Sequence, residues 1–375
     1  MQYRMYGKTG DRISVFGFGA MRLPMIEDHV DMDMSVAIIQ RSFDLGVNYV
    51  DTAVGYCNSE SQIAVGKAVK GYRDKVFVST KNHYKGPSGD EWQKLLDDSL
   101  KKLDVDYIDF YHSHGLGWEE YQNIQNPGGV MERFRKAKEQ GLIRHICYSC
   151  HDSGENAIKL IDTGEFAGML IQYNLLDRHA EEAIAHAHEK GMGISIMGTI
   201  GGGRLVSPSE KLQGMIEKGA KSTPEIALRF VISNPNVTVA LSGMNSMEQV
   251  EENAASSASD EALSDEERKR VIEILNESQE LAKLYCTGCG YCMPCPNDID
   301  IPDNFTAMNL YRVFGLKDLA RSRYRGLGKR RKKDGTTVEA WASACIECGK
   351  CEPKCPQKIP IMDQLKETHS ALGEN

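Results

Sequence analysis

The chain has 375 residues, of which 41% are hydrophobic and 26% charged, with a formal net charge of −8. That length accommodates one large domain and a small one, and no apolar run approaches the ~18 residues of a membrane-spanning helix. The negative balance argues against a nucleic-acid binder, and MQYRMYGKTGDR at the start has no apolar stretch behind its basic residues, so no secretory leader is expected and the cytoplasm is the default compartment.

From about residue 12 to residue 256, short β-rich runs alternate with stretches of helical period. The strand candidates are residues 15–19, 48–52, 76–80, 107–111, 143–149, 168–173, 193–198 and 237–243. Helical patterns lie between them, as in DEWQKLLDDSLKKL and MERFRKAKEQG, the latter closing on a glycine where a helix stops. Eight βα units in about 250 residues predict an α/β fold, a closed TIM (β/α)8 barrel. An open doubly wound sheet would need a glycine-rich phosphate turn after its first strand, and GFGAMRLP lacks the third glycine.

Residues 257–285 are charged and helical in pattern, with Ser264 and Glu267 in capping-box spacing. Two cysteine runs follow, Cys286, Cys289, Cys292, Cys295 and Cys345, Cys348, Cys351, Cys355, each ending in Cys-Pro and separated by a helical segment. The expected division is residues 1–280 as the barrel and 281–375 as a small, mainly α-helical ferredoxin-like domain.

Three cysteines at x2 spacing hold three corners of a four-iron cubane, and the one before proline commonly serves the other cluster. This predicts two 4Fe–4S clusters, one on Cys286, Cys289, Cys292 and Cys355, the other on Cys345, Cys348, Cys351 and Cys295. The first run has x2 where x3 is commoner before its last cysteine, which leaves the crossover open. Zinc is the competing reading, but zinc sites close with four ligands and rarely use a triplet plus Cys-Pro. Cys57, Cys147 and Cys150 are scattered and receive no role.

In a TIM barrel the reactive side chains come from the C-terminal strand ends. Here those ends carry Asp51 and Tyr56, then Lys81, then His112 and His114. A lone polar residue on a barrel rim is ordinarily structural, but four types in order at successive strand ends have one use together. A lysine ammonium makes a neighbouring phenol a better proton donor, an aspartate holds the lysine, and a histidine orients a carbonyl.

DTAVGY, the lysine of VFVSTK, and VDYIDFYHSH resemble the aldo/keto reductases over residues 1 to about 256. The resemblance implies carbonyl reduction with NAD(P)H through a tetrad of Asp51, Tyr56, Lys81 and His114, the second histidine being the one that stands at the family's position. It implies nicotinamide contacts from Ser149 and Gln172, with Cys150 where many members have asparagine. Glycines 201, 202 and 203 of GTIGGGRL (Gly201, Gly202, Gly203) would cover the pyrophosphate, with Thr199 in place of a usual proline. Ser242, Gly243, Gln249, Glu252 and Asn253 would meet the adenosine end. Gln249 replaces an arginine common in NADPH-preferring members, which favours no strong choice of the phosphorylated form.

With its cysteine runs the chain resembles a subgroup of aldo/keto reductases carrying a ferredoxin-like domain. Hydride moves two electrons and a cluster one, so redox-active clusters imply a converter, and a flavin held by GTIGGGRL is a further candidate cofactor. The basic run 321–335 is either a solvated loop or a docking site, near Arg330 and Lys332, for an external ferredoxin- or flavodoxin-like carrier. Two alternatives stand beside plain carbonyl reduction: a flavin-assisted electron-transfer reductase with the clusters as relay, and a barrel enzyme with purely structural clusters.

Overall fold

A computed structural model describes residues 1–206, 208–215, 221–258, 263–281, 286, 290, 292–331, 335–355 and 358–373. Its strands β1 (Phe16–Gly19), β2 (Tyr49–Asp51), β3 (Phe77–Asn82), β4 (Ile108–Ser113), β5 (Ile143–Cys150), β6 (Gly168–Gln172), β7 (Gly193–Met197) and β8 (Val239–Gly243) form a closed parallel barrel. Each pairs with its neighbour in sequence, and β8 returns to β1 in the register Ala240↔Phe16 to Gly243↔Gly19. The eight strands expected from the sequence are all present, with ends shifted by no more than two residues.

The intervening helices form where the sequence supplies caps. Gly89–Leu103 starts at Ser88, whose hydroxyl accepts from Glu91 N, places Asp90 and Glu91 in its first turn and Lys101 and Lys102 in its last, and buries Trp92, Leu96 and Leu103. Val130–Glu139 ends before Gly141, whose φ of +75° is a left-handed conformation that favours glycine.

No element was expected before the first strand, yet a hairpin of Tyr3–Met5 and Arg12–Ser14 stands there. It presents Tyr6, fully buried, to the N-terminal end of the barrel, with its ring 4.4 Å from Phe110 and 6.3 Å from Tyr49 between centroids. A Cβ at Gly193 would lie 2.0 Å from the Tyr6 ring and one at Gly168 2.4 Å away, so β6 and β7 begin with glycine because the plug leaves no room for a side chain. Arg4 anchors the hairpin by donating to Ile232 O (2.7 Å) and Asn234 O (2.9 Å).

Chain contacts divide the molecule into two units, residues 1–203 with 227–263 and residues 204–226 with 264–375. The first contains the barrel. The helix Asp265–Leu281, placed with the barrel in the sequence-based division, groups with the second unit; its capping box forms as expected, with Ser264 N donating to Glu267 Oε2 (2.9 Å) and Glu267 N to Ser264 Oγ (3.1 Å). The second unit is mainly helical, and Ile301–Arg312 packs on both Lys317–Leu327 and Ile361–Leu372. Tyr324 organises it, stacking on Trp341 at 6.2 Å and sharing a 2.7 Å hydrogen bond with His369 Nδ1. Among the described residues no helix is long and apolar enough to cross a membrane.

Tyr6→Ala empties the barrel floor and should destabilise the protein by about 3–5 kcal/mol. The expected readout is a fall in melting temperature on the order of 10 °C by circular dichroism; an unchanged melting temperature would mean that the hairpin is an ornament.

Candidate active site

Asp51 ends β2, Lys81 is the penultimate residue of β3, and His114 directly follows β4, so three adjacent parallel strands deliver them to one rim. Lys81 is only 1% exposed and its ammonium donates to the Asp51 carboxylate and, at 2.8 Å, to Thr52 O. Ser79 Oγ donates to the other Asp51 oxygen at 2.8 Å. Burial works to lower the Lys81 pKa, but the Asp51 carboxylate and then Tyr56 outweigh it and leave it raised. Lys81 therefore stays charged in a site almost closed to water.

Tyr56 is half-buried, with Lys81 Nζ 4.8 Å from its ring centroid. His114 meets the same ring edge-on at 6.1 Å. Burial first, then the charge of Lys81, pushes His114 down to about 4, so its imidazole is neutral at physiological pH. The other histidine, His112, is fully buried opposite Lys81 in the β3–β4 register, with its pKa pushed down to about 3 by burial and then Lys81. All four residues of the expected tetrad are thus brought together, and His114 is the histidine that touches Tyr56.

The turn that carries Tyr56 is not one the sequence announces. Cys57, Asn58 and Ser59 have φ of 48°, 54° and 70°, three consecutive left-handed residues without a glycine, each costing on the order of 1 kcal/mol or more. They are held from outside: Asn58 Nδ2 donates to Asp28 O (2.7 Å), and Glu60 accepts from Val30 N (2.7 Å). The asparagine, a residue that tolerates this region, is the only hint in the sequence. Ser79 and Glu60 were likewise passed over, although Ser79 lies two residues before Lys81 and so shares its side of β3.

The residues expected to hold the nucleotide lie at the same ends of the next four strands. Ser149, near the end of β5, accepts from Gly115 N at 2.7 Å and ties the His114 loop to β5. Gln172 ends β6 and donates to Asp177 Oδ2 at 2.6 Å. Gly201 begins the 3-10 turn Gly201–Val206, which includes Gly202 and Gly203. Ser242 and Gly243 end β8, with Asn253 Nδ2 3.4 Å from Ser242 Oγ. Gln249 closes the start of the helix Met247–Ala258 by accepting from Asn245 N at 2.9 Å, and Glu252 is exposed on that helix. These groups offer amide, hydroxyl and backbone N–H donors in strand order around one rim, a donor set that suits a nicotinamide nucleotide.

In the second unit Cys295, Cys345, Cys348 and Cys351 line one cavity together with Cys292, walled by Ile299, Ile301, Met362 and Leu365. Five thiols from the two runs around an apolar chamber are a donor set that suits an iron–sulfur cluster, and Cys295 stands beside the triplet of the other run. No described cysteine is in a disulfide. Cys286 and Cys355 are half-buried, and Cys289 lies outside the described residues, as does Lys332.

Residues 15–276 match the aldo/keto reductase family and residues 285–359 match a 4Fe–4S dicluster domain. The chain belongs to the aldo/keto reductase family and is an oxidoreductase of that family with a C-terminal iron–sulfur domain. Among its relatives, L-galactose dehydrogenase of Arabidopsis thaliana is 26% identical over 74% of this chain and 95% of that protein. The NADH-specific methylglyoxal reductase of Escherichia coli is 25% identical over 66% of this chain and 91% of its own length. The holo form of aldo-keto reductase AKR11C1 from Bacillus halodurans superposes with a TM-score of 0.63 at 25% identity, covering 73% of this chain and 96% of that one.

His112, fully buried, and His114, half-buried, make stability depend on acid. Their folded pKa values lie below that of free imidazole, so between about pH 6.5 and these values the unfolded chain binds more protons. Stability should be full above about pH 6.5 and fall as the pH drops towards 4 and then 3, by up to about 1.4 kcal/mol per pH unit for each histidine. Urea midpoints measured from pH 7 to 4 check this, and His112→Leu should flatten the slope; an unaltered slope in that variant would place the acid sensitivity elsewhere.

Proposed function

We propose that the protein reduces an aldehyde or ketone with NAD(P)H at the barrel mouth, with Asp51, Tyr56, Lys81 and His114 as the catalytic tetrad. The observation that carries this reading is the Lys81 ammonium, buried between the Asp51 carboxylate and the Tyr56 ring with neutral His114 against the same ring. The nucleotide, when bound, supplies the hydride, and Ser149, Gln172, the 201–203 glycines, Ser242, Gly243, Gln249, Glu252 and Asn253 are the residues that would hold it.

Tyr56 donates its proton to the substrate oxygen as negative charge grows there. The fixed ammonium of Lys81 stabilises the phenolate left behind, and Asp51 keeps that ammonium in place. A neutral His114 retains an N–H for the same oxygen without bringing a second cation beside Lys81. Because the Lys81–Asp51 pair is already desolvated and hydrogen-bonded before substrate arrives, little reorganisation is needed at the moment of transfer.

Tyr56→Phe removes the proton donor and keeps the ring. Turnover of a model aldehyde should fall by roughly 10²–10⁴ with nucleotide affinity nearly unchanged, as steady-state kinetics and fluorescence titration would report. Full turnover in the variant would falsify the tetrad.

The same reading gives the C-terminal unit two four-iron clusters, held by Cys286, Cys289, Cys292 and Cys355 and by Cys345, Cys348, Cys351 and Cys295. Anaerobically reconstituted protein should then contain about eight irons per chain. Replacing Cys295 by serine is expected to disturb the spectrum of the cluster on the 345–351 run; stoichiometric zinc in place of iron would sink the assignment.

A further inference from the structure

Three strand ends that meet on the rim of the first unit carry one arginine among them. In the closed barrel β8 stands between β7 and β1, and its last residue, Gly243, is paired with Gly19, the last of β1. A Cβ built on Gly243 would lie 3.2 Å from Arg22 Cβ and 3.3 Å from its Cγ and Cδ, so the stem of Arg22 runs across the end of β8 because glycine stands there. The guanidinium begins one bond beyond those atoms, and Arg22 is exposed. From the other side Thr199 Oγ1 donates to Leu241 O at 2.8 Å and draws the start of the glycine turn 201–203 to the same strand.

Charge gives that placement a use. Residues 19–25, 198–203 and 242–253, which close and leave β1, β7 and β8, contain one basic residue, Arg22, against three acids, Glu248, Glu251 and Glu252. Glu251 is paired with Arg41 at 2.9 Å, and Glu248 and Glu252 are exposed. Arg204 follows the glycine turn directly but belongs to the second unit. Glycine N–H groups can approach a phosphate closely, yet they bring no full charge to a dianion, and glutamates alongside repel it. A guanidinium supplies that charge together with a planar fork that matches two phosphate oxygens.

We infer that Arg22 pairs with the pyrophosphate of the bound nicotinamide nucleotide, a group that NADH and NADPH share. The inference rests on the nucleotide reading given above. The pyrophosphate is assigned in preference to the adenosine 2′-phosphate because Arg22 and the glycine turn converge on the end of β8, whereas Gln249, where NADPH-preferring members of the family often place an arginine, is engaged with Asn245 N at the start of the next helix. The loop of Arg22 is also tied to the tyrosine turn, with Ala20 N donating to Asp51 O at 2.8 Å and Cys57 Sγ 3.4 Å from Met21 O. The residue that would hold the phosphate is therefore built on the same frame as Tyr56.

The test is nucleotide binding by the full-length protein, read by fluorescence titration and calorimetry with NADH, NADPH and ADP-ribose, in the wild type, Arg22→Leu and Arg22→Lys. Leucine keeps an apolar stem over Gly243 and removes the charge; lysine keeps the charge without the fork. In Arg22→Leu the dissociation constants for all three ligands should rise together on the order of tenfold or more, with partial recovery in Arg22→Lys. Salt raised to about 0.5 M should weaken NADH binding more in the wild type than in Arg22→Leu, while the melting temperature and the kcat at saturating nucleotide stay near wild-type values. Arg22→Gln, uncharged and closer in size, gives the same reading should leucine impair folding. Unchanged ADP-ribose affinity in the uncharged variants would overturn the inference, and so would a loss confined to NADPH, which marks a reader of the 2′-phosphate. Wild-type protein that binds none of the three ligands removes the nucleotide reading and the inference with it, and that titration alone separates this result from a failure at Arg22.

Discussion

The buried ion pair of Lys81 and Asp51 is the constraint around which the barrel's mouth is arranged. Taking two charges out of water costs several kcal/mol, and the cost is met only if every remaining donor and acceptor is satisfied. Adjacent parallel strands do this: β2 supplies Asp51 and the Thr52 carbonyl, and β3 supplies Lys81 and Ser79. Removing either charge would leave its partner buried alone, at a cost of several kcal/mol.

That pair also explains why two neighbouring histidines are neutral. Burial and the Lys81 charge act together on His112 and His114, and a protonated imidazole beside a fixed ammonium would repel it in a medium where charges are poorly screened. A neutral histidine keeps one donor and one acceptor, which suits the proposed carbonyl substrate, neutral when it arrives and gaining negative charge as hydride is transferred.

The eight strands were legible because each is a short β-rich run bounded by turn residues, and Asp51, Lys81 and His114 were legible because strand ends are where the chain's alternation stops. Choosing His114 over His112 needed the family resemblance. The two stand two positions apart and so share a side of the chain, and periodicity cannot tell them apart, whereas the structure sets His114 against the Tyr56 ring and buries His112 opposite Lys81. The Tyr3–Met5 hairpin and its Tyr6 plug were illegible, since YRM and RIS form no β-rich run and the reason for Gly168 and Gly193 sits more than 160 residues away in the chain. The left-handed turn after Tyr56 was hidden for a related reason: its flanking contacts, Asn58 to Asp28 O and Val30 N to Glu60, come from another loop. In the second unit the capping box at Ser264 was visible, but the grouping of residues 204–226 with the cysteine-bearing segment depends on long-range packing, such as Ser209 Oγ donating to Phe314 O at 2.7 Å, which local sequence does not encode.

A hydride carries two electrons together and a four-iron cluster exchanges one, so no direct handover between them balances. The residues proposed as the tetrad lie wholly within the first unit and every cysteine of the two runs within the second, so the two proposed chemistries belong to separate units of the chain. The chain passes between the two units more than once. It leaves the barrel unit after Gly203 and returns at Ala227, and the point of departure falls inside GTIGGGRL, the stretch proposed to cover a pyrophosphate. The stretch proposed for the pyrophosphate thus straddles, along the chain, the boundary between the two units.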